Sequence, residues 1–501
     1  MGWARSFRQI AGATVNKEER FGHEMGILRP PGRRHLRPQL PLCVVTHAPT
    51  DYLVAPTLRL DKGEGLAEGL RCLREFDPRV FMIFGGDAED VQWLHETMED
   101  QADHPILFCA DLERGAGQQF EGLTPLPDAW ALGLLGTEAS YNAGHRTASE
   151  AATANVRWIL GPVLDLHRTS MDATRSPIIA NRAFGGEIQR VIECAGAYMQ
   201  GIKDAGGLAC AKHFPGHGGV SQDSHTEMAI CFEDPTPHLE PFKTLLGLCP
   251  SIMVGHIEFP LIDQSGRPAS RSQVMMDILR KDWGYDGVVV TDSLQMVGFG
   301  DGPHEELAVQ SIHAGVDLLL DPEDPVALAI TLRDAMERGD LNEERVFQAV
   351  GRLEKMIRLT LDTEVAPPKP LVLGGGAKTL LRPLPGGSAG RTHSRPVCAL
   401  NLASTPDALK YLHEWDMPVF KPDDAPPSSF PGPLLILCGA REGHGLPNIP
   451  GPWLEAIQHH HPALYMAGAP DAAQLAPASA RGWYLPGVSP ALLGMLITAG
   501  E

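Results

Sequence analysis

Nowhere in the 501-residue chain do two cysteines stand in a CxxC arrangement. The nine that occur (Cys43, Cys72, Cys109, Cys194, Cys210, Cys231, Cys249, Cys398 and Cys438) are odd in number and widely scattered, which argues against a disulfide framework and against a zinc knuckle. They read instead as small buried residues in a reducing compartment. Also missing is any apolar run of the roughly 18 to 20 residues that a membrane span requires. Positive charge is scarce. Lys and Arg number 42 against 62 Asp and Glu, a formal net charge of −20, and that balance opposes binding to nucleic acid or to an anionic membrane. The expected partner is a small molecule. Near the N-terminus Arg5, Arg8 and Arg20, then Arg33 and Arg34, are not followed by the apolar block of a secretory signal, and the Arg33-Arg34 pair resembles a twin-arginine start only superficially. A cytoplasmic location is expected. Residues 1–40 read as a poorly ordered arm, with the native start open between Met1 and a later methionine such as Met25.

What the chain does have, from about Leu42, is an alternation of short apolar runs with longer amphipathic ones. The strand candidates are RVFMIFGG (79–86), PILFCADLE (105–113), VRWILGPVLDL (156–166), GLACAKH (207–213), SIMVGHIEF (251–259), DGVVVTDS (286–293) and VDLLLD (316–321), with one more expected near Pro41 to Thr46 or hidden in a loop. Between them lie helical patterns such as AEDVQWLHETMEDQ, GEIQRVIECAGAYMQGIKDAG, SQVMMDILRKDWG and EELAVQSIHAG. Strand then helix, repeated over residues 41–364, predicts a (β/α)8 TIM-like barrel in the α/β class. A doubly wound open sheet has the same periodicity and remains the alternative.

Composition then changes. Residues 365–395 are rich in Pro and Gly and read as a linker. The GGGAKT within it lacks the spacing and setting of a phosphate loop. Residues 396–501 resume an α/β rhythm (PVCALNLAS, PVF, PLLILCG and ALYMAG, with helices expected over 407–415, over 453–460 and after Pro490), which predicts a small doubly wound, three-layer α/β C-terminal domain. His459, His460 and His461 end one of these helices, where they suit its dipole better than a metal ion.

Polar residues fall at the ends of the predicted strands. Asp111 and Glu113 follow PILFCA, Asp165 and His167 follow ILGPVL, Lys212 and His213 follow GLACA, His256 and Glu258 follow SIMVG, and Asp292 follows GVVVT. Taken singly, each is as well explained by a helix cap or a buried salt bridge. In a parallel barrel, however, these ends share one rim, so residues far apart in sequence would converge on one pocket. An enzyme is therefore expected. The stretch KHFPGHGGVSQDSH (212–225) is the densest of these polar segments, and Pro215, Gly216, Gly218 and Gly219 make it a shaped loop rather than a helix. The same Pro215 and Gly216 prevent His213 and His217 from sharing a helix face, so no metal site is expected. Asp223 stands two residues before His225, close enough to hold its imidazole and favour the protonated form. A tunable proton donor beside a fixed carboxylate such as Asp292 is the equipment of glycoside cleavage.

KHFPGHG followed by DSH resembles the β-N-acetylhexosaminidase branch of glycoside hydrolase family 3, and GPVLDL (161–166), ANRAFG (180–185), PLIDQSGRPAS (260–270) and WGYDGVVVTDSLQM (283–296) extend the resemblance in order over residues 50–360. It implies a β/α barrel and a retaining mechanism without a cofactor, in which Asp292 is the nucleophile, His225 the acid/base and Asp223 its dyad partner. Lys212, His213, Asp111 and Arg182 would bind sugar hydroxyls, and His217 would shape the loop. One departure stands out. The family's DQEGGRVQR reads DLERGAGQQ here (111–119), so Gln119 occupies the place of a sugar-binding Arg, with Arg114 a candidate substitute. The resemblance implies an exo-acting β-N-acetylglucosaminidase acting on cell-wall fragments, as in peptidoglycan recycling, or on chitooligosaccharides. A β-glucosidase, a β-glycoside phosphorylase and a catalytically silent sugar-binding or scaffold protein are the alternatives. The C-terminal addition would serve as scaffold, as added pocket wall or as the contact of a homodimer.

Overall fold

The computed structural model describes residues 48–369 apart from 64, 103, 168–175 and 177, together with Ala425 and the strands within 382–486. The first strand pair in the chain is Val54–Ala55 (β1) and Thr57–Arg59 (β2), separated by Pro56. Val80–Phe84 (β3), Leu107–Ala110 (β4), Val156–Ile159 (β5) and Leu208–Phe214 (β6) follow. Ala229–Ile230 (β7), Ser251–Val254 (β8), Ile257–Glu258 (β9), Val288–Thr291 (β10) and Leu319–Leu320 (β11) complete this part. The segments LFCA, SIMV and VVVT are buried at every position. Strands buried on both faces, with helices between them, are what a parallel sheet produces.

The main sheet is seven-stranded and parallel, in the order β2-β3-β4-β5-β6-β8-β10. It curls. At one edge Val290 of β10 is bridged to Leu318, and β11 pairs in parallel with β1. At the other edge β2 is the continuation of β1 beyond Pro56, whose carbonyl accepts the Met82 N–H at 2.9 Å. Both edges therefore lead to the same short pair.

Several strands are shorter than the apolar runs that announced them. The run VRWILGPVLDL is a strand only over β5, because Pro162 has no N–H to contribute to a ladder. The chain then rejoins β6 locally, where Val163 bridges Lys212 and Leu164 N donates to Lys212 O at 2.6 Å. SIMVGHIEF breaks at Gly255, and its second half, β9, leaves the main sheet to pair with β7. The strand expected at Pro41 to Thr46 lies outside the described residues, as do the arm over 1–40 and the GGGAKT segment. The strand over 54–59 escaped the sequence reading because Pro56 interrupts it.

At the N-terminal ends of the strands, buried Asp317 accepts hydrogen bonds from Arg345 at 2.7 Å, Arg352 at 3.2 Å and the backbone N–H of Val289 at 2.9 Å, with Arg280 also in contact. This knot ties β10 and the approach to β11 to the helix Glu343–Asp362. In the C-terminal part, Arg382–Pro383 (β12), Cys398–Asn401 (β13), Val419–Phe420 (β14), Leu434–Cys438 (β15), Leu464–Gly468 (β16) and Gly482–Pro486 (β17) form a sheet in the order β12-β17-β16-β15-β13-β14. Only β12 runs antiparallel to its neighbour. Strands β13 to β16 fall on the apolar runs read from the sequence. Strand β12 falls in the stretch read as linker, and β17 lay between Gly482 and Pro486 where no strand was expected. The helices expected over 407–415, over 453–460 and after Pro490, and the cluster His459 to His461, lie outside the described residues.

The helices Thr137–Ala151 and Ile188–Asp204 cross in close contact because two glycines face across them. A Cβ at Gly144 would lie 2.0 Å from the Tyr198 carbonyl oxygen, and one at Gly201 would lie 2.2 Å from that of Tyr141. Neither backbone has room to yield without separating the helices. Gly144→Leu should therefore cost about 3 kcal/mol or more, read as a lowered urea midpoint, and a midpoint within error of the parent would contradict this packing.

Candidate active site

Parallel strands carry their C-terminal residues to one rim, and the side chains found there form a connected cluster. Lys212, at the end of β6, places Nζ 2.6 Å from Asp111 Oδ1 and 2.7 Å from Glu113 Oε1. Arg182, from the short turn Ala180–Arg182, donates Nε to Glu113 Oε2 at 2.9 Å and Nη2 to Oε1 at 2.8 Å. Glu113 is thus held by two cations at once. Burial alone would raise its pKa, but Arg182 and Lys212 outweigh that and hold it well below the usual carboxylate range. Burial would likewise depress the Lys212 pKa, yet Asp111 and Glu113 raise it, so the ammonium keeps its charge.

His213 extends the cluster toward Asp292. Its Nδ1 is 2.6 Å from Asp165 Oδ2, and its Nε2 lies 3.1 Å from Arg182 Nη2 and 4.0 Å from Asp292 Oδ2. Asp292 sits immediately after β10, where its N–H donates to Val254 O at 3.0 Å and its Oδ1 accepts the Ser293 N–H at 2.9 Å. Burial would raise the pKa of Asp292, but attraction to His213, His256 and Lys212, with the Ser293 N–H, pulls it down to about 2. At neutral pH it is a carboxylate. Its side chain is 19% exposed, whereas that of Asp165 is fully covered. His256 braces the following turn, with Nδ1 2.8 Å from Ser270 Oγ and Nε2 3.0 Å from the Ser293 carbonyl oxygen.

The loop after β6 carries the remaining pair. Asp223 Oδ1 accepts from both the His225 backbone N–H at 2.9 Å and the ring Nδ1 at 2.7 Å, which leaves Nε2 as the outward nitrogen. The His225 side chain is 37% exposed while Asp223 is buried. Earlier in the loop, His217 is buried: its N–H donates to Asp165 Oδ1 at 2.6 Å and its Nε2 lies 2.8 Å from Ser224 Oγ. Burial pushes the His217 ring down to about 4.

Gln119 lies at the same rim, its Oε1 accepting the Gly85 N–H at 3.3 Å just beyond β3. Arg114 is not brought to the cluster; its Nη1 lies 3.6 Å from Asp128 instead. From the sequence, Glu113, Asp165 and His256 are expected at the rim only as ionisable residues closing strands, with no individual role, and Ser224 is not singled out at all. The signal for Glu113 was its position two residues beyond Asp111, which returns a side chain to the same face of an extended chain. Among the described residues no group of His, Cys, Asp or Glu is arranged to hold a metal ion. A groove lined by Leu246, Pro250, Tyr285 and Met356 opens at the opposite, N-terminal ends of the strands and includes none of these residues.

Chemically, the rim offers a carboxylate ionised at neutral pH, charged donors and acceptors for polar hydroxyls, and an imidazole backed by a carboxylate. Residues 86–356 match the Glycosyl hydrolase family 3 N terminal domain. A beta-hexosaminidase of Nitrosospira multiformis is 34% identical over 261 residues, 48% of this chain and 72% of that protein. Among solved structures, the beta-glucoside phosphorylase BglX bound to 2FGlc superposes with a TM-score of 0.78 at 18% identity, covering 92% of each chain. A glycoside hydrolase family 3 β-N-acetylglucosaminidase from Paenibacillus sp. FPU-7 gives 0.74 at 21% identity, covering 91% of this chain and 97% of that one. At such identities the two structures speak to the fold alone.

Two stability measurements follow. Glu113→Gln would leave buried Lys212 with Asp111 alone and partly exposed Arg182 without its carboxylate, so urea unfolding at pH 7 should show a loss of about 3 kcal/mol; a loss below about 1 kcal/mol would mean that the cations do not depend on it. His217 has a folded pKa of about 4 against an ordinary 6.5. The unfolded chain therefore takes up this proton first. Its contribution is complete above pH about 6.5 and is lost as pH falls toward about 4, to a total of about 3 kcal/mol. The loss tied to Asp292 comes lower, between its ordinary 3.8 and about 2. Unfolding curves from pH 7 to pH 4.5 should fall less steeply for His217→Asn than for the parent.

Proposed function

The chain belongs to glycosyl hydrolase family 3 and is a glycoside hydrolase, and on that premise we propose that it is a retaining exo-β-N-acetylglucosaminidase acting on cell-wall fragments or chitooligosaccharides. The observation that carries this reading is the ionised Asp292 carboxylate at the rim beside the Asp111, Glu113, Arg182, Lys212 and His213 cluster, with the Asp223–His225 pair on the neighbouring loop. The beta-hexosaminidase name of the Nitrosospira relative supports the amino-sugar substrate. The link from β10 through β11 and β1 back to β2 supports a complete eight-stranded ring around the site. In the C-terminal part, parallel strands in the order β14-β13-β15-β16-β17 support a doubly wound domain.

In the first step Asp292 attacks the anomeric carbon as the bond to the glycosidic oxygen breaks, and that oxygen takes the proton from His225 Nε2. The product is an ester between the sugar and Asp292. In the second, His225 takes a proton from water as the water oxygen attacks the same carbon, which frees Asp292 as a carboxylate. Asp223 holds the ring in one orientation throughout and stabilises its charged form. Lys212, His213, Asp111 and Arg182 hold the sugar hydroxyls through charge-assisted hydrogen bonds. Gln119 offers an amide in place of a guanidinium, and so reads this edge of the sugar without a charge.

The test is turnover of the p-nitrophenyl β-glycosides of N-acetylglucosamine and glucose, with and without phosphate. Preferential release from the N-acetylglucosaminide is expected, unaffected by phosphate and at least about a thousandfold slower in Asp292→Ala. A rate that depends on phosphate would identify a phosphorylase, and preference for the glucoside a β-glucosidase. Sugar affinity without any turnover would overturn the enzymatic reading.

A further inference from the structure

The Asp223–His225 pair cannot locate itself. Its two members are separated by one residue, and every hydrogen bond found on the His225 side chain goes to Asp223, so they move as a unit wherever the loop moves. Something else must set the imidazole at the distance that proton transfer demands, since a general acid works only within about 2.6 to 3.2 Å of the oxygen it serves. Besides the His225 carbonyl, which accepts the Val297 N–H at 3.5 Å, the residue between them is the point of attachment. Ser224 is fully buried, its Oγ is 2.8 Å from His217 Nε2, and its carbonyl accepts the Gly298 N–H at 2.9 Å. Gly298 belongs to the turn that follows Asp292. Ser224 is therefore tied on one side to the start of its own loop and on the other to the segment carrying the carboxylate.

The start of the loop is fastened in turn. His217 N–H donates to Asp165 Oδ1 at 2.6 Å, while the other oxygen of the same carboxylate is 2.6 Å from His213 Nδ1. Gly218 allows this seating, because a Cβ there would lie 1.8 Å from the Leu166 carbonyl oxygen. The His213 and His217 rings meet edge to face, with centroids 6.2 Å apart. A continuous path thus runs from His213, within the hydroxyl-binding cluster, through Asp165 and His217 to Ser224 and so to His225.

We propose that His217 and Ser224, anchored on Asp165, are positioning residues that hold His225 at the leaving-group oxygen and keep it in register with the sugar held by His213. This rests on the glycosidase reading above. The competing explanation is that a buried histidine and a buried serine merely satisfy one another, which would make the link a matter of stability alone. The two are separated by leaving-group chemistry. Departure of 2,4-dinitrophenolate needs no proton, whereas departure of a sugar alcohol does.

Ser224→Ala should lower kcat/KM for chitobiose by about a hundredfold while changing kcat/KM for 2,4-dinitrophenyl N-acetyl-β-glucosaminide by less than about threefold, since this ratio reports the first chemical step. KM for chitobiose should stay near the parent value. Should Ser224→Ala fail to fold, His217→Gln gives the same comparison. Equal losses on both substrates, or no loss on chitobiose, would overturn the proposal. A parent protein inactive on both substrates would instead overturn the glycosidase reading itself.

Discussion

Two positive charges at one end of a curled sheet, Lys212 buried and Arg182 partly covered, are the constraint around which this molecule is arranged. Lys212 has left water, where an unpaired ion costs several kcal/mol, and Arg182 beside it keeps 29% of its side chain exposed. Glu113 answers both, with Asp111 on Lys212. These residues come from three separate segments of chain, so the ion cluster exists only when the parallel sheet brings the segments together. Well-packed apolar side chains would stabilise the fold at least as well. What the charges add is a set of fixed, directional donors and acceptors at a rim where a polyhydroxylated ring can replace the water they gave up.

The charged knot at the opposite pole has a different character. Asp317 draws in Arg280, Arg345, Arg352 and the Val289 N–H, and every one of these contacts lies within the protein. It holds strand to helix. At the C-terminal rim the ions are instead left partly open, as the 27% exposure of Asp111 against 3% for Lys212 shows. Similar residue types thus lie sealed within the protein at one end and partly open to solvent at the other, and the difference lies in which side of the ion pair faces outward.

The alternation of strand and helix was legible because strands buried on both faces leave uninterrupted apolar runs. The strand ends were less so. Pro162 and Gly255 cut two runs short, and Pro56 concealed the strand over 54–59, since periodicity does not register how a backbone pairs. At the site, Asp111, Asp165, Lys212, His213 and Asp292 were all visible as ionisable residues closing apolar runs. Which of them would touch was not visible. The pairing of Glu113 with both cations depends on a turn at 180–182 that has no strand signal, and the contact between Asp165 and His217 uses a backbone N–H, which leaves no trace in side-chain identity. Ser224 carries no signal of its own in the sequence, and its burial and its contact with His217 appear only in the folded chain.

The anchoring of the loop through a main-chain donor decides which substitutions the loop can bear. Asp165 grips position 217 without reference to its side chain. A substitution at 217 would keep this grip, whereas any side chain at 218 would meet the Leu166 carbonyl oxygen and unseat the loop. The carboxylate behaves as a socket for the main chain, and the side chain at 217 is left free to turn toward Ser224.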